Sequence, residues 1–477
     1  MTTTPRAHSP LISNANNAQR PKVVICGGGL AGLSAAKMLL DNGFTVELLE
    51  GRDILGGKVS SWRDSDGDWI ESGLHVFFGA YDEIFKLMRE LGIYDNILWK
   101  EHALTYTLEH GERFAFRTAD LPSPFHLVPA IFGQKYFTLP QTLTLARAMP
   151  AIVFGSEKYY REQDNITYEE WHLKKGISHK MLKKMFLPMA LALKFLPPEE
   201  LSAKIVLDVS GLFLREDNSS RMGFLSGSPQ DKLIGPLAQA ITDASGTIRT
   251  GTKVRTLLPK ADAPTQELDG VQLAGGEIVR GDYYLLALPV HKLNRLIPQE
   301  WRDSHPYFQR LSRFEGVPVI TVQFWFDRQI TGIDNILFCP DGIIPVYADL
   351  ANTTPEYYYG GRSRMEFVVA PARDIFNWDD SAIFDRVWND VKRVFPQTAA
   401  GAHILKKSIV RIPRSVYWPK PGLDALRPTQ QSPIANLYLA GGYTIQKFYD
   451  SMEGAVSSGR LAACALTKAV REKPHEE

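Results

Sequence analysis

PKVVICGGGLAGLSAAKMLLDNGFTVELLE, residues 21–50, is the stretch that decides the fold of this chain. Its first part, Lys22–Cys26, is a short β-branched apolar run, which is typical of a buried parallel strand. A G-x-G-x-x-G turn follows, then a helix from about Leu30 to Asn42 with one apolar stripe, and then a second apolar strand. Strand, glycine turn, helix and strand in this order predict a βαβ unit that binds a dinucleotide.

The glycines of the turn and the helix after it predict how the phosphates are held. Gly27 allows the tight turn, Gly29 lets the backbone approach the pyrophosphate, and Gly32 lets the helix pack close to the strand. The first helical residues, Leu30 and Ala31, present backbone N–H groups at the positive end of the helix dipole, which favours phosphate. A glycine-rich turn in some other α/β unit is the competing interpretation.

The residues after the second strand favour FAD over a nicotinamide cofactor. Glu50 lies about twenty residues past the turn, where a carboxylate accepts the ribose hydroxyls and repels a 2′-phosphate, which disfavours NADP. The pattern R-x-x-x-G-G-K comes next, a second cradle of backbone and cation that suits the longer FAD. A surface loop is the alternative. The residues predicted to bind FAD in this segment are Glu50, Gly51, Arg52, Gly56, Gly57 and Lys58.

Strand, glycine turn and helix recur near the C-terminus in NLYLAGGYTIQKFYDSMEGAVSSGRLAACAL, residues 436–466. We expect Gly441 and Gly442 to form the turn and Ser451 to cap the final helix. Met452 then lies in the first turn, where the helix N-terminus would stabilise the anionic reduced flavin ring. An ordinary C-terminal helix is the alternative. Together the two glycine turns predict one FAD that spans the fold.

Length and composition set the broad class. With 477 residues, 44% hydrophobic and 22% charged, the chain is globular and long enough for two domains. A net charge of +1, with no basic helix or zinc spacing, argues against a nucleic-acid partner. The three scattered cysteines fit a reducing compartment. Residues 1–20 lack the apolar core of a signal peptide and are expected to form a flexible tail.

The order of the predicted elements indicates an α/β fold in which a Rossmann-like FAD domain interlocks with an α+β substrate domain. A helix near 229–244 and the strands after it return to the cofactor domain. The order of these elements is similar to that of two-dinucleotide flavoproteins, and this similarity implies that the backbone of Val254 contacts the adenine. From Val317 to Ala370, β-rich runs suit the antiparallel sheet of a substrate domain. The FAD domain is assigned to 21–100, 220–300 and 425–470, and the substrate domain to 101–219 and 301–424.

Residues 119–214 of the substrate domain are unusually apolar. Prolines break 119–155 into short pieces, and 180–214 contains a Met/Leu/Phe-rich helix with several lysines. No uninterrupted run of about 18 apolar residues occurs, so no membrane-spanning helix is predicted. Such helices can line a lipid-binding tunnel or rest in a membrane interface, and we expect both; ordinary core helices are the alternative.

Seven segments resemble one known family, the plant- and cyanobacterial-type carotene desaturases, which act on 15-cis-phytoene or ζ-carotene. The resemblance runs from about residue 22 to residue 468, with order and spacing kept. It departs from the phytoene-type pattern at two positions: at Gly442, where A-G-D-Y-T carries an acid, and at Leu212, where that subfamily carries an Arg. Both weaken the assignment to phytoene and leave open a divergent branch that acts on a related isoprenoid. The segments are LLEGRDILGGKVSSWRDSDGDWIESGLHVFFGAY, WKEHALTYTL, FLSGSPQDKL, GVPVITVQFWFDRQI, VYADLANT, PRSVYWPKPG and AGGYTIQKFYDSMEGAVSSGR.

The resemblance implies an amine-oxidase-like flavoprotein that desaturates a C40 polyene in carotenoid biosynthesis. It also implies a carotenoid or other isoprenoid substrate, re-oxidation by plastoquinone or another quinone, and peripheral, monotopic membrane association. The expected location is the cytoplasmic face of a membrane, or a plastid thylakoid in a phototroph. Assembly into a homo-oligomer stays open.

The implied reaction moves a hydride from an allylic CH₂ to flavin N5 while the neighbouring carbon loses a proton. Alignment of the chain and exclusion of water are the main demands on the protein. This fits the absence of a catalytic-triad or metal-ligand pattern. His75, in ESGLHVFFG, is the one candidate for a catalytic group, with a structural histidine as the favoured alternative. A carotene isomerase, a squalene-type oxidoreductase and a non-catalytic carotenoid- or lipid-binding flavoprotein stay open.

Overall fold

The computed structural model describes residues 20–261 and 266–472. The tail predicted for residues 1–20 therefore lies outside the described residues, apart from Arg20. The parts of the chain that form the two predicted FAD cradles are all described.

The described residues form twenty strands and sixteen α-helices. The strands are β1 (Lys22–Cys26), β2 (Thr45–Leu49), β3 (Ser61–Arg63), β4 (Trp69–Glu71), β5 (Phe77–Phe78), β6 (Ile97–Trp99), β7 (Ala103–Thr107), β8 (Arg113–Arg117), β9 (Met222–Leu225), β10 (Thr247–Arg249), β11 (Val254–Pro259), β12 (Leu268–Leu273), β13 (Ile278–Val279), β14 (Tyr283–Leu286), β15 (Gly316–Phe326), β16 (Leu337–Phe338), β17 (Val346–Asp349), β18 (Arg364–Val369), β19 (Ile404–Tyr417) and β20 (Leu437–Leu439). The helices are α1 (Leu30–Asp41), α2 (Glu83–Glu90), α3 (Leu127–Phe132), α4 (Leu139–Val153), α5 (Glu157–Glu162), α6 (Tyr168–Lys174), α7 (His179–Met181), α8 (Leu187–Lys194), α9 (Ala203–Leu214), α10 (Gly235–Asp243), α11 (Val290–Leu296), α12 (Gln299–Ser304), α13 (Pro306–Leu311), α14 (Leu350–Thr353), α15 (Asp380–Val394) and α16 (Met452–Glu472).

A five-stranded parallel sheet forms the centre of the cofactor-binding half, in the order β10-β2-β1-β14-β20. Strands β1 and β14 at its centre are apolar and almost entirely buried because α1 and α16 pack together on one face and the β11–β13 sheet and α11–α13 cover the other. The predicted βαβ unit is present, since β1 pairs in parallel with β2 and α1 connects them. The two strands that carry the predicted glycine turns, β1 and β20, both pair with β14.

A seven-stranded, mainly antiparallel sheet forms the other half, in the order β19-β15-β18-β17-β16-β7-β8. Its strands come from two separate stretches of chain, 103–117 and 316–417, with the helices α3–α9 between them. The long strand β15 is almost entirely buried, since α15 packs on one face of the sheet and the apolar helices pack on the other. The predicted α/β fold with an α+β second unit is therefore confirmed.

The apolar segment 119–214 divides into an exposed part and a buried part. An exposed group of large apolar side chains surrounds α3 and α4, and we call it the apolar patch: Leu121, Phe125, Val128, Phe132, Leu139, Leu143 and Phe154. By contrast, α8 and α9 are mostly buried and form part of the core. Among the described helices, none combines the length and the apolar character needed to cross a membrane.

Candidate functional site

The first glycine turn leaves the carboxyl end of β1 and has no room for side chains. Gly27 has φ +117°, and a Cβ there would lie 2.4 Å from the carbonyl oxygen of Ala287. A Cβ on Gly32 would lie 1.9 Å from the carbonyl oxygen of Gly27, so only glycine lets α1 approach β1 this closely. The predicted roles of these two glycines agree with this geometry.

The N-terminus of α1 is suited to an anion. Gly29 precedes the helix in extended conformation, and within the described chain no side chain caps it and no acid lies in its first turn. The first backbone N–H groups of a helix have no partner inside the helix, so Leu30 and Ala31 present donors at its positive end. A phosphate group supplies the acceptors that this end requires, which fits a dinucleotide cofactor.

Glu50 is fixed beside this turn. Its Oε2 accepts a hydrogen bond from the backbone N–H of Gly28 at 2.7 Å, and its Oε1 accepts one from the N–H of Arg52 at 2.9 Å. The start of β11 lies close by, since a Cβ on Gly51 would lie 3.4 Å from Cα of Lys253, the residue before Val254. The structure thus brings the predicted ribose and adenine contacts to one edge of the parallel sheet.

The second cradle, R-x-x-x-G-G-K, packs directly on the first. The N–H of Gly56 donates to the carbonyl oxygen of Gly28 at 2.8 Å, and a Cβ on Gly57 would lie 3.0 Å from Cα of Gly29. The Arg52 guanidinium donates to the carbonyl oxygen of Gly57 at 2.8 Å. The two turns, separate in sequence, therefore form one continuous backbone surface.

Lys58 links this surface to the C-terminal glycine turn. Its Nζ lies 3.1 Å from Oδ1 of Asp450, a residue 392 positions later in the chain. In the C-terminal turn Gly441 has φ +147° and its N–H donates to Oγ of Ser458 at 2.7 Å, which ties the turn to α16. The structure therefore brings together both predicted halves of the site.

Position 442 has no room for a side chain because Asp450 occupies the adjacent space. A Cβ on Gly442 would lie 2.3 Å from Cα and 2.4 Å from Oδ1 of Asp450. The Asp450 carboxylate also accepts the backbone N–H of Tyr417 at 2.8 Å. The acid expected at position 442 in the phytoene-type pattern is absent, but a carboxylate from position 450 stands beside that position. No motif in the sequence marks Asp450 as a site residue.

The start of α16 is built as expected, although one of its acids acts elsewhere. Ser451 Oγ accepts the N–H of Gly454 at 3.0 Å, directly before Met452 and the first turn. Glu453 is buried and accepts three backbone N–H groups at the start of α2, from residues 82, 83 and 84, at 3.2, 2.9 and 2.9 Å. Burial raises the pKa of Glu453, while these three hydrogen bonds lower it. Glu453 therefore holds α2 against α16.

His75 has protein partners at both ring nitrogens. Nδ1 lies 2.8 Å from Oε2 of Glu71, and Nε2 lies 3.0 Å from the carbonyl oxygen of Lys58. The other oxygen of Glu71 accepts from the hydroxyl of Tyr357 at 2.7 Å. These contacts support the structural alternative, in which the imidazole orients the Lys58 turn.

A small, mostly apolar cavity of about 50 Å³ lies beside the C-terminal part of the site. Residues of α8 and α9 form one wall, and residues 448–451, just before Met452, form another. Apolar and aromatic side chains dominate the lining, among them Tyr81, Leu193, Ile205, Val209, Phe213 and Phe448. An apolar group that enters this cavity would contact the residues that precede Met452.

Lys194, the last residue of α8, also lines this cavity. It is only 6% exposed, and its ammonium group donates to the carbonyl oxygen of Tyr449. Burial lowers the pKa of Lys194 to about 8; Asp450 opposes this effect, and Arg427 and Lys58 add to it. In the sequence, Lys194 ends the otherwise apolar run ALALK, and no spacing pattern marks it as a site residue.

A triplet of acids lies outside this site. Asp64, Asp66 and Asp68 bring their carboxylates within reach of one another, and the arrangement resembles a cation site. Lys406 Nζ lies 2.6, 2.7 and 2.6 Å from the three carboxylates. The lysine thus supplies the positive charge that this cluster requires.

Comparison with known proteins connects this chain to a family of flavoproteins. The family of flavin-containing amine oxidoreductases matches residues 30–467. The 15-cis-phytoene desaturase of Narcissus pseudonarcissus is 40% identical over 94% of this chain and 79% of its own. The ζ-carotene desaturase of Synechocystis sp. is 36% identical over 93% of this chain and 97% of its own.

The same fold occurs in solved structures that are far more distant in sequence. A double mutant of putrescine oxidase superposes with a TM-score of 0.73, at 17% identity over 94% of this chain and 99% of its own. At this identity the likeness concerns the fold alone, which is the amine-oxidase-like flavoprotein architecture expected from the sequence.

Proposed function

Because this chain belongs to the flavin-containing amine oxidoreductase family and to its carotene-desaturase group, we propose that it desaturates a long isoprenoid polyene such as 15-cis-phytoene or ζ-carotene. The observation that carries this proposal is the apolar cavity, which ends against residues 448–451 beside the second glycine turn. A cavity with this lining favours an extended hydrocarbon over a charged amine.

The residues around the two glycine turns fit FAD, and we propose them as its binding site. The α1 N-terminus would hold the pyrophosphate, Glu50 the ribose, and Val254 the adenine. The Arg52–Lys58 cradle, Gly441, Gly442 and Met452 would line the path toward the flavin ring. The bound cofactor supplies the acceptor for the hydride.

The chain's own contribution to the reaction is alignment and exclusion of water. The walls of the cavity would keep the reacting CH₂–CH₂ bond near the flavin and restrict the motion of a flexible polyene. An apolar lining also keeps water from the developing cation. Further turnovers require an electron acceptor, and we propose a membrane quinone for this role because it partitions with the substrate into lipid.

Anaerobic incubation of the FAD-loaded protein with 15-cis-phytoene or ζ-carotene in liposomes tests the activity. We expect the flavin absorbance to bleach while a product with a longer conjugated system forms. Val209→Phe should narrow the cavity and slow the bleaching at unchanged FAD content. A change of polyene isomer without net bleaching would indicate an isomerase, and no change with any isoprenoid substrate of 30 or 40 carbons would refute both activities.

We also propose that the apolar patch is a peripheral membrane contact. It concentrates seven exposed large apolar side chains within residues 121–154, and three basic residues within or just after this stretch, Lys135, Arg147 and Lys158, are exposed as well. A cluster of this kind is unusual on a soluble surface and typical of an interfacial segment. A hydrocarbon substrate dissolved in the bilayer requires such a contact.

Sedimentation with phosphatidylglycerol-containing vesicles tests the contact. Leu139, 65% exposed within the patch, has a matched control in Leu405, 52% exposed on β19. Moving one leucine side chain from water to lipid contributes about 1.5–3 kcal/mol, so Leu139→Ser should weaken vesicle binding about tenfold or more. Leu405→Ser should leave binding unchanged. Equal effects of the two substitutions would refute the proposed surface.

A further inference from the structure

We propose that Lys194 is a catalytic residue that accepts the proton lost by the substrate carbon next to the hydride donor. This inference rests on the proposed desaturation. Loss of a hydride leaves a cation, and the double bond forms only when a neighbouring C–H bond gives up its proton. The amine at the end of α8 is placed to receive it.

The position of the amine is fixed by the local fold. Lys194 ends α8 because the next residue, Phe195, takes a left-handed conformation with φ +59°. The side chain then lines the cavity, and its amine donates to the carbonyl oxygen of Tyr449, which belongs to the 448–451 wall. A neutral amine keeps this hydrogen bond through one N–H and retains a lone pair that can bind a proton.

The charged groups around Lys194 suit a base that changes its charge. Asp450 and the Tyr449 carbonyl face it from the 448–451 wall, Lys58 from the glycine cradle and Arg427 from the loop after β19. Two positive neighbours and burial favour the neutral amine, and Asp450 stabilises the ammonium once it forms. The Lys194 pKa of about 8 agrees with an amine that is partly neutral near neutral pH.

The other ionisable side chains of the cavity are engaged or held protonated. The Asp450 carboxylate binds Lys58 and the backbone N–H of Tyr417. The Tyr449 hydroxyl donates to Asp208, and burial keeps the pKa of Tyr81 far above its ordinary value. Among the described residues that line the cavity, Lys194 is therefore the group best able to take up a proton.

Atoms and electrons balance in this step. A hydride leaves one carbon for the oxidised flavin, which gains two electrons. The adjacent C–H bond breaks, its electron pair forms the new C=C bond, and its proton binds the Lys194 lone pair. If Lys194 served only to hold the Tyr449 carbonyl, it would need to donate a hydrogen bond, but its charge would not change during the reaction.

Anaerobic stopped-flow reduction of the bound FAD by a saturating polyene measures the step directly. In the wild type we expect the rate to rise with pH to a plateau, with a midpoint near pH 8. Lys194→Met should lower the plateau rate about 100-fold or more and remove the pH dependence. Lys184→Met, which removes an amine paired with Asp341 and outside the cavity lining, is the matched control and should retain both. Substrate affinity, from the perturbed flavin spectrum, should change little in either variant.

Two further variants separate proton transfer from a structural role. Lys194→Arg keeps a positive charge and a donor but cannot give up its proton, so it should stay slow. Lys194→Ala should be accelerated by added small amines in proportion to their basicity. The inference would be overturned if Lys194→Arg reduced FAD at the wild-type rate. It would also be overturned if the rate of Lys194→Ala did not depend on the basicity of the added amine.

A measurement on the resting protein adds a test without turnover. Selective ¹³C labelling of lysine Cε should show one resonance that titrates near pH 8 and is missing in Lys194→Met. If the polyene reduces the FAD of the wild-type protein at a rate that does not depend on pH, the role of Lys194 is refuted while the proposed desaturation stands. Wild-type protein that leaves FAD oxidised with all polyenes would refute the proposed desaturation itself.

Discussion

Lys194→Met should make the protein more stable at neutral pH and less dependent on pH. The substitution replaces a buried amine by an apolar side chain of similar length. Because a buried cation is costly unless it is paired, the wild-type chain carries Lys194 at the expense of stability. A cost of this kind is expected where activity requires the group.

The magnitude follows from the two protonation equilibria of Lys194. The unfolded chain binds the proton with the ordinary pKa of 10.5, whereas burial lowers the pKa in the folded chain to about 8. Between these pH values the unfolded state binds more protons, so the free energy of unfolding rises with pH. At about 1.4 kcal/mol per pH unit, the difference between 10.5 and 8 corresponds to roughly 3 kcal/mol.

The methionine variant lacks this rise but also loses the hydrogen bond to Tyr449. That loss costs about 1–2 kcal/mol at every pH, because a carbonyl stays buried without its donor. The variant should therefore be more stable than wild type by about 1–2 kcal/mol at pH 7, and less stable by a similar amount near pH 10.5.

Urea unfolding followed by tryptophan fluorescence at pH 7, 8, 9 and 10 checks this expectation. Because the other ionisable groups titrate alike in both proteins, their contributions cancel in the difference between the two free energies of unfolding. Lys184→Met, which removes a partly exposed lysine, should follow the wild-type pH dependence. A constant difference between wild type and Lys194→Met across this range would refute the reasoning, since it would mean that Lys194 titrates alike in the folded and unfolded chains.

Three other substitutions test the structure of the site. Glu453→Gln loses charge-assisted hydrogen bonds to the start of α2, and its amide N–H₂ group faces backbone N–H groups that also donate. The free energy of unfolding, measured in thermal or urea unfolding, should therefore fall by about 3–5 kcal/mol. Gly32→Ala puts a Cβ 1.9 Å from the carbonyl oxygen of Gly27, so the purified protein should lose bound FAD, measured by the ratio of flavin to protein absorbance. Glu50→Gln removes the charge that accepts the N–H groups of Gly28 and Arg52 and should lower FAD occupancy severalfold; full occupancy would disprove the ribose placement.

The cofactor half could be predicted from sequence because its constraints are local. Gly27, Gly32 and Glu50 act within about thirty residues of one another, and their spacing is set by one strand, one turn and one helix. The same reasoning located Ser451 as a cap, since capping involves residues three apart. Segment 119–214 was also recognised as unusual, but its sequence did not reveal which part faces solvent.

The residues that sequence reasoning missed depend on contacts between distant segments. Glu453 looks like an acid in the first turn of its own helix, yet it caps α2, some 370 residues earlier. Lys194 looks like one more lysine beside an apolar run, and only the approach of residues 448–451 makes it buried. Neither feature has a periodicity or spacing that a single sequence displays.

Gly442 is best understood as part of a group of four residues and not as a missing acid. A side chain at position 442 would collide with Asp450, so the glycine is a condition for the position of that aspartate. Asp450 in turn pairs with Lys58 of the FAD cradle and contributes the negative charge that opposes the burial of Lys194. A carboxylate placed at 450 is thus shared between the predicted flavin site and the apolar cavity. This sharing gives a physical reason why a chain that lacks the acid at 442 can carry a lysine in its cavity.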